Sequence, residues 1–383
     1  MRNFLFTLFM FIGVGCMAQQ YSMLYSNLNY AADGQVYHNM DIYLPKTAKD
    51  KYPVVLYIYG SAWYSNNSKG ADMNTIGAAL LDAGFAVAIP NHRSSSDAKF
   101  PAQIHDIKAA IRFLRAKAAD YRLDTTFIGI SGSSSGGHLA SLAGTSNGVK
   151  QYTVGSATMD IEGNLGNYTS YSSEVHAVCD WFGPIDFSRM ENCATYKDAN
   201  SPEARILGFA PASNPDRTAL LSPMTYIDPT DPPFLIFHGS QDNVVSPCQS
   251  VFFHEALTAA GVESEYLLIQ GGQHGPGVNN VQANLGKMVA FFQNANTPVI
   301  TSFKDMNTSG DTFVLSESSS LDLSGFESRL LKYRVVDMAG RVALERQAGE
   351  DRIYSGGLAN GLYVLQLFFS GGDTRLQRVA VWR

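Results

Sequence analysis

Between Tyr52 and Gly60 the chain reads YPVVLYIYG, apolar at almost every position, and comparable runs recur along the sequence. They are Gly84 to Pro90 (GFAVAIP), Thr125 to Ser131 (TTFIGIS), Val175 to Gly183 (VHAVCDWFG), Pro233 to Ser240 (PFLIFHGS) and Ser264 to Gln270 (SEYLLIQ), with MDIYLP at Met40 to Pro45 before them. Short, continuous apolar runs belong to strands buried on both faces of a parallel sheet. Between the runs the period changes. Ile104, Ile107, Ile111 and Leu114 fall at helical spacing in QIHDIKAAIRFLRAKA, an apolar helical face resumes in HLASLAG, and helices are expected from about Gln249 to Ala260 and Val281 to Gln293. Strand and helix in alternation predict a doubly wound, mostly parallel α/β sheet covered on both faces.

From about Asn294 the pattern is different. NANTPVITSFKDMNTSGD is polar and turn-rich, and no helical period follows it. Leu331 to Glu345 predicts a hairpin turning near Met338 to Gly340, and GLYVLQLFFSGGDTRLQRVAVW predicts another turning at Gly371-Gly372-Asp373. The expected organisation is an α/β domain over 19–294, a linker over 295–308 and a small all-β sandwich over 309–383. Ahead of these, Arg2, the apolar run Phe4 to Val14 and the small residues before Gln19 form the pattern of a signal peptide over 1–18, cleaved after Ala18. The rival reading acylates Cys16, against which Gly13 stands where a leucine is usual.

Composition narrows the function. Of 383 residues 45% are hydrophobic and 16% charged, a globular balance, and the net charge of -6 gives no basic footprint for nucleic acid or an anionic membrane. No stretch after the leader is long and apolar enough for a transmembrane helix, so no stable membrane insertion is expected once the signal is cleaved. Without Cys16, three cysteines remain; Cys179 lies in an apolar run, which leaves Cys193 with Cys248 as the expected disulfide.

The candidate chemistry is concentrated in Gly132-Ser133-Ser134-Ser135-Gly136, a G-x-S-x-G match between a predicted strand and a predicted helix. That context suits a turn presenting Ser134 as a nucleophile, with the helix N-terminus favouring developing negative charge. A serine hydroxyl needs a base oriented by an acid, and in this arrangement acid and base follow the serine in that order. Asp242 lies just past PFLIF and His274 in the glycine-rich IQGGQHGPG, each after a strand. Asp180 is the weaker acid candidate, because its strand comes earlier. His138 reads as structural, His238 as a support for the acid loop, and His105 and His254 as residues on helix faces. YIYGSAWYSN, Tyr57 to Asn66, ends a strand with small residues whose N–H groups could complete an oxyanion hole with that of Ser135. Trp63 either walls the pocket or belongs to the core. No metal or organic cofactor is required.

These motifs in this order, MDIYLP, VVLYIYGSAW, FPAQIHDIKAAIRFLRAKA, GSSSGGHLA, AVCDWFGPIDF, SPMTYIDPTDPPFLIFHGSQDNVVSPCQS and GGQHGPG, make the segment from about Met40 to Asn294 resemble the α/β-hydrolase superfamily. The resemblance is to its bifunctional feruloyl and acetyl-xylan esterase-like branch. It implies a serine esterase with Ser134 as nucleophile, Asp242 as acid, His274 as base, and Ser61 and Ser135 supplying oxyanion-hole N–H groups. The substrate it implies is an acetyl or feruloyl ester on a plant polysaccharide. The alternatives are a peptidase or arylformamidase-like acyl hydrolase and a catalytically silent carbohydrate-binding protein. One departure stands out: where the family carries H-G-G-G/A-W, this chain has Tyr59-Gly60-Ser61-Ala62-Trp63. The C-terminal RVVDMAGRVALE, GLANGLYVLQL and RVAVWR are similar to the type A sorting domain of type IX secretion. That implies the type IX machinery as a partner and export through the periplasm to the cell surface or medium; an accessory carbohydrate-binding sandwich is the alternative.

Overall fold

The computed structural model describes residues 20–190, 193 and 198–296, then 312–315, 320–322, 330–337, 341–347, 352–354, 358, 360–370 and 374–381. The expected leader, nearly all of the expected linker, and the hairpin tips at 338–340 and 371–373 lie outside the described residues. The chain divides into two compact units, Met1–Phe292 and Gln293–Arg383.

In the first unit the strands are β1 (Met23–Asn29), β2 (Asn39–Leu44), β3 (Tyr52–Ile58), β4 (Ala86–Pro90), β5 (Leu123–Ser133), the small hairpin β6 (Gln151–Val154) and β7 (Ala157–Asp160), β8 (Ala177–Trp181), β9 (Phe234–Gly239) and β10 (Ser264–Ile269). The α-helices are α1 (Ala78–Asp82), α2 (Ala102–Ala116), α3 (Ser135–Thr145), α4 (Pro202–Leu207), α5 (Pro215–Ala219), α6 (Cys248–Ala259) and α7 (Gln282–Ala295). Eight strands form one sheet in the order β1-β2-β4-β3-β5-β8-β9-β10. From β4 to β10 every pairing is parallel, while β1 and β2 form an antiparallel edge. Each apolar run predicted as a strand is one, and Val54 to Ile58 and Ala177 to Trp181 are fully enclosed, while β10, at the sheet edge, is not buried and leaves Leu268 exposed.

The helices behave as their periodicity requires. Ile104, Ile107, Ile111 and Leu114 of α2 are wholly buried. Lys108 and Arg112 are buried beside them, which the pattern did not foretell; Glu162 pairs with both, and Lys108 Nζ also donates to the Ser146 carbonyl at 2.7 Å. A buried cation is tolerated when such partners replace its water. The edge strand β1 and the hairpin β6–β7 escaped the pattern because both are largely exposed and polar.

In the second unit the strands are β11 (Thr312–Leu315), β12 (Ser320–Asp322), β13 (Leu330–Asp337), β14 (Val342–Gln347), β15 (Arg352–Tyr354), β16 (Gly361–Phe369) and β17 (Thr374–Val381). One sheet has the order β11-β17-β16-β13-β14, and β12 pairs with β15. Both expected hairpins are present as antiparallel pairs, β13 with β14 and β16 with β17. Tyr363, Leu365, Leu367 and Phe369 of β16 are buried with less buried residues between them, the two-residue alternation of a sheet with one apolar face.

Candidate active site

Strand β5 ends at Ser133 and helix α3 begins at Ser135, so Ser134 alone makes the turn between them, with φ 55° and ψ −122°. That is a costly conformation for a residue with a Cβ, of the kind found where function requires a side chain to be displayed. Its neighbours must be small. A Cβ on Gly136 would lie 2.1 Å from the Ile58 carbonyl oxygen, and one on Gly132 would lie 2.3 Å from that of Gly136. Ser134 N–H donates to the Trp181 carbonyl at 2.8 Å, which fixes the turn to the end of β8.

The next two sheet edges supply the partners. Past β9, Asp242 has its side chain fully enclosed, and its Oδ1 accepts the N–H groups of Val244 (2.8 Å) and Val245 (2.9 Å). Past β10, His274 places Nδ1 2.7 Å from Asp242 Oδ2 and Nε2 2.8 Å from Ser134 Oγ. With the ring proton on Nδ1, His274 donates to the carboxylate and accepts from the serine hydroxyl. Burial by itself would raise the Asp242 carboxyl. Hydrogen bonds from His238 and His274, with the Val245 N–H, outweigh it and hold the group well below the usual carboxylate range. The acid therefore stays ionised and the imidazole keeps one orientation.

The other titratable candidates lie elsewhere. Asp180 is buried at the end of β8, accepts the Gly183 N–H at 2.9 Å and makes no bond to His274; burial pushes it up to about 6. His138 is enclosed with Nε2 2.9 Å from the Leu221 carbonyl, and burial takes it down to about 4. His238 bridges Ser250 Oγ (2.7 Å) and the Val245 carbonyl (2.9 Å), with Asp242 Oδ2 at 3.3 Å, so it supports the loop that carries the acid. His105 and His254 are half-buried helix residues bonded to the Asp160 carbonyl and Ser264 Oγ.

The loop after β3 differs in detail from expectation. The N–H of Ser61 donates to the side-chain Oγ of Ser135 at 2.9 Å instead of standing open beside Ser134. Next to it, Ala62 lines the cleft, and its N–H makes no hydrogen bond among the described residues. Tyr59, in the place of the usual histidine, stacks on His92 with ring centroids 5.0 Å apart and donates to the Ser65 carbonyl at 3.3 Å. Trp63 is both wall and core: it lines the cleft yet is 1% exposed, packed near His138 and Phe187.

Above Ser134 lies a cleft of about 440 Å³, walled by Ala62, Trp63, Met190, Glu203, Val244 and Val245 among others. Met190, Glu203 and Val244 carried no sequence signal for this place. Ser201-Pro202-Glu203 does read as a helix start, and Ser201 caps α4, but capping does not say where a helix lies. Cys193 and Cys248 are joined as expected, and Cys179 is a buried free thiol. Among the described residues no group of three or more His, Cys, Asp or Glu side chains could hold a metal, and no helix is long and apolar enough to cross a membrane.

A family model described as BD-FAE matches residues 40–257, more than half of the chain, and spans both the serine and the acid. The chain belongs to the BD-FAE family. This is an esterase family of the α/β-hydrolase fold. Esterase LipQ of Mycobacterium tuberculosis is 30% identical over 211 residues, 55% of this chain and 46% of that protein. The probable carboxylic ester hydrolase LipM of the same organism is 28% identical over 222 residues, 58% of this chain and 48% of that one. The BD-FAE chain thus spans about half the length of these curated relatives. Among solved structures, a truncated carbohydrate esterase from gut microbiota is 50% identical with a TM-score of 0.72, covering 73% of this chain and 98% of its own. A bifunctional GH43-CE of Bacteroides eggerthii is 57% identical with a TM-score of 0.69, covering 71% of this chain and 35% of that one.

Proposed function

We propose that this protein is a secreted serine esterase removing acetyl or feruloyl groups from plant polysaccharides. The observation that carries the chemistry is the continuous hydrogen-bond line from Ser134 Oγ through His274 to Asp242, with spacings of 2.8 and 2.7 Å. Ser134 Oγ attacks the ester carbonyl as His274 Nε2 takes its proton; the C–O bond to the sugar then breaks, and His274 returns that proton to the departing alkoxide. Water, activated by the same nitrogen, releases the acid from the acyl-enzyme. Asp242 remains a carboxylate and stabilises the imidazolium. The N–H groups of Ser135, at the open start of α3, and of Ala62 receive the oxyanion. The carbohydrate esterases among its structural relatives support the substrate class.

The test is labelling with a fluorophosphonate and hydrolysis of p-nitrophenyl acetate, acetylated xylan, methyl ferulate and a peptide-like amide, with Ser134→Ala as control. An adduct on Ser134 and turnover of the polysaccharide esters are expected. Absence of the adduct in folded protein would overturn the mechanism and favour a silent binding protein, while turnover of only the amide would replace esterase by peptidase. Export rests on the motifs of the C-terminal unit, whose strands form their own sheet and core. A chain ending near Ser309 is expected to keep its activity and stay in the periplasm; its arrival outside the cell would refute the sorting role.

A further inference from the structure

The turn that carries Ser61 and Ala62 also carries two aromatic residues that face opposite ways. Ser61 to Tyr64 is closed by the Tyr64 N–H donating to the Ser61 carbonyl at 2.9 Å. Its two central residues have left-handed φ, 51° at Ala62 and 58° at Trp63, the sign pattern of a type I′ turn. Two non-glycine residues in that region are costly, and such strain is retained where surroundings over-determine it, commonly at functional sites. The consequence is visible in the side chains. Trp63 is turned inward to 1% exposure, and Tyr64, one residue on, is turned out at 45%.

Tyr64 is not bare. The guanidinium of Arg205 lies over its ring, 5.3 Å from the centroid, within cation–π range. Arg205 is itself exposed and has no carboxylate partner among the described residues. It comes from α4, the helix whose Pro202 and Glu203 wall the cleft. Two elements that line the cleft therefore each send one further residue to the same point just outside it. An exposed tyrosine steadied by a cation on one face, with its own hydroxyl at the ring edge, matches a pyranose, whose C–H face is apolar and whose rim is hydroxylated.

We propose that Tyr64 and Arg205 form a sugar subsite beside the cleft. A neutral pyranose of the polysaccharide main chain, next to the one that carries the ester, stacks on the face of Tyr64 opposite Arg205, whose cation holds the ring in place from behind. This rests on the esterase reading above. It leaves the acyl group in the 440 Å³ cleft and assigns recognition of the polymer to the rim.

The experiment compares acetylated xylotetraose with p-nitrophenyl acetate. In Tyr64→Ala the ratio of their kcat/KM values is expected to fall about tenfold through KM of the oligosaccharide, and Tyr64→Phe to restore it. Arg205→Gln, at an exposed helix position, is expected to lower the same ratio about threefold, and carries the test if Tyr64→Ala disturbs the turn and both rates collapse. An unchanged ratio in Arg205→Gln and Tyr64→Ala, or a loss on methyl ferulate equal to that on the oligosaccharide, overturns the subsite. The second outcome would make Tyr64 an acyl-group contact. If the native protein hydrolyses neither substrate, the esterase reading fails by itself, and calorimetric titration with unesterified xylohexaose decides the subsite. Binding lost in Tyr64→Ala supports it, and binding unchanged or absent overturns it.

Discussion

Ser135→Ala removes a single hydroxyl and asks what holds the loop under the reacting carbonyl. Ser135 Oγ accepts the Ser61 N–H at 2.9 Å, and Ser61 opens the turn whose next two residues have φ of 51° and 58°. An L-residue in that region costs about 1–2 kcal/mol, so the pair stores about 2–4 kcal/mol. Four hydrogen bonds stand against it: Ser61 N–H to Ser135 Oγ, Tyr64 N–H to the Ser61 carbonyl, Ser95 N–H to the Trp63 carbonyl at 2.7 Å, and Ser65 N–H to Ser61 Oγ at 3.3 Å. At about 1 kcal/mol net each, they roughly balance the strain, and deleting one tips the turn towards relaxed forms that misplace Ala62. The expected result is a fall of about fivefold in kcat/KM on p-nitrophenyl acetate, with Ser135→Thr, which keeps the oxygen, near the native rate. A loss of two or three orders of magnitude belongs to removal of an oxyanion donor and is not expected, since both proposed donors are backbone N–H groups that the substitution leaves in place. A rate above the native one would refute the reasoning. It would mean that the hydroxyl withholds the Ser61 N–H from the oxyanion, and that Ser61 is the donor after all.

Three further outcomes follow from other residues. Asp242→Asn keeps the size of the acid but favours the wrong His274 tautomer, so kcat is expected to fall about four orders of magnitude, measured by initial rates on the same ester; a loss under tenfold would remove Asp242 from the mechanism. His138 and Asp180 titrate with opposite signs. Burial lowers His138 from 6.5 to about 4, so about 3 kcal/mol of stability present above pH 6.5 is lost as pH falls towards 4. Burial raises Asp180 from 3.8 to about 6, so about 3 kcal/mol present below pH 3.8 is lost as pH rises towards 6. Between pH 7 and 4.5, urea midpoints of Asp180→Asn should therefore drop more than those of the native protein and those of His138→Gln should drop less; parallel slopes would contradict the assignment. Cys193–Cys248 closes a separation of 55 residues, worth about 4 kcal/mol in chain entropy, so the Cys193→Ser, Cys248→Ser variant should melt roughly 10 °C lower, and an unmoved Tm would show that the bridge does not restrain unfolding.

Much of the first unit was legible because buried parallel strands are written as unbroken apolar runs and amphipathic α2 as a 3.6-residue period. The three residues of the proposed triad could be picked out because each follows a parallel strand, and parallel strands all deliver their C-terminal ends to the same sheet edge. Ser134, Asp242 and His274 are far apart in sequence yet sit past β5, β9 and β10, strands separated in the sheet only by β8. What stayed hidden depends on side-chain contacts between segments that carry no period. Met190 and Val244 reach the cleft from irregular connections and Glu203 from the six-residue helix α4, too short to show a period, and β1, β6 and β7 bury too little to imprint a pattern.

The loop Tyr59 to Trp63 shows where motif transfer stops and physics has to continue. By pattern, the missing histidine and the serine at position 61 are defects in an oxyanion loop. In the structure the brace has moved to different groups: Tyr59 is held by His92 and the Ser65 carbonyl, and Ser61, where a glycine has no side chain to offer, gains a bond from the Ser65 N–H. Ser135, the residue after the nucleophile, closes the assembly from the other side with its hydroxyl. These replacements are mutually dependent, because a loop braced from Ser135 needs Ser61 N–H turned towards it, and that orientation leaves the N–H of Ala62 as the one proposed to receive the oxyanion. A histidine restored at position 59 would meet His92 in place of its present stacking partner without recreating the family's arrangement, so Tyr59→His is expected to lower activity rather than raise it, and a gain would show that the brace has not moved.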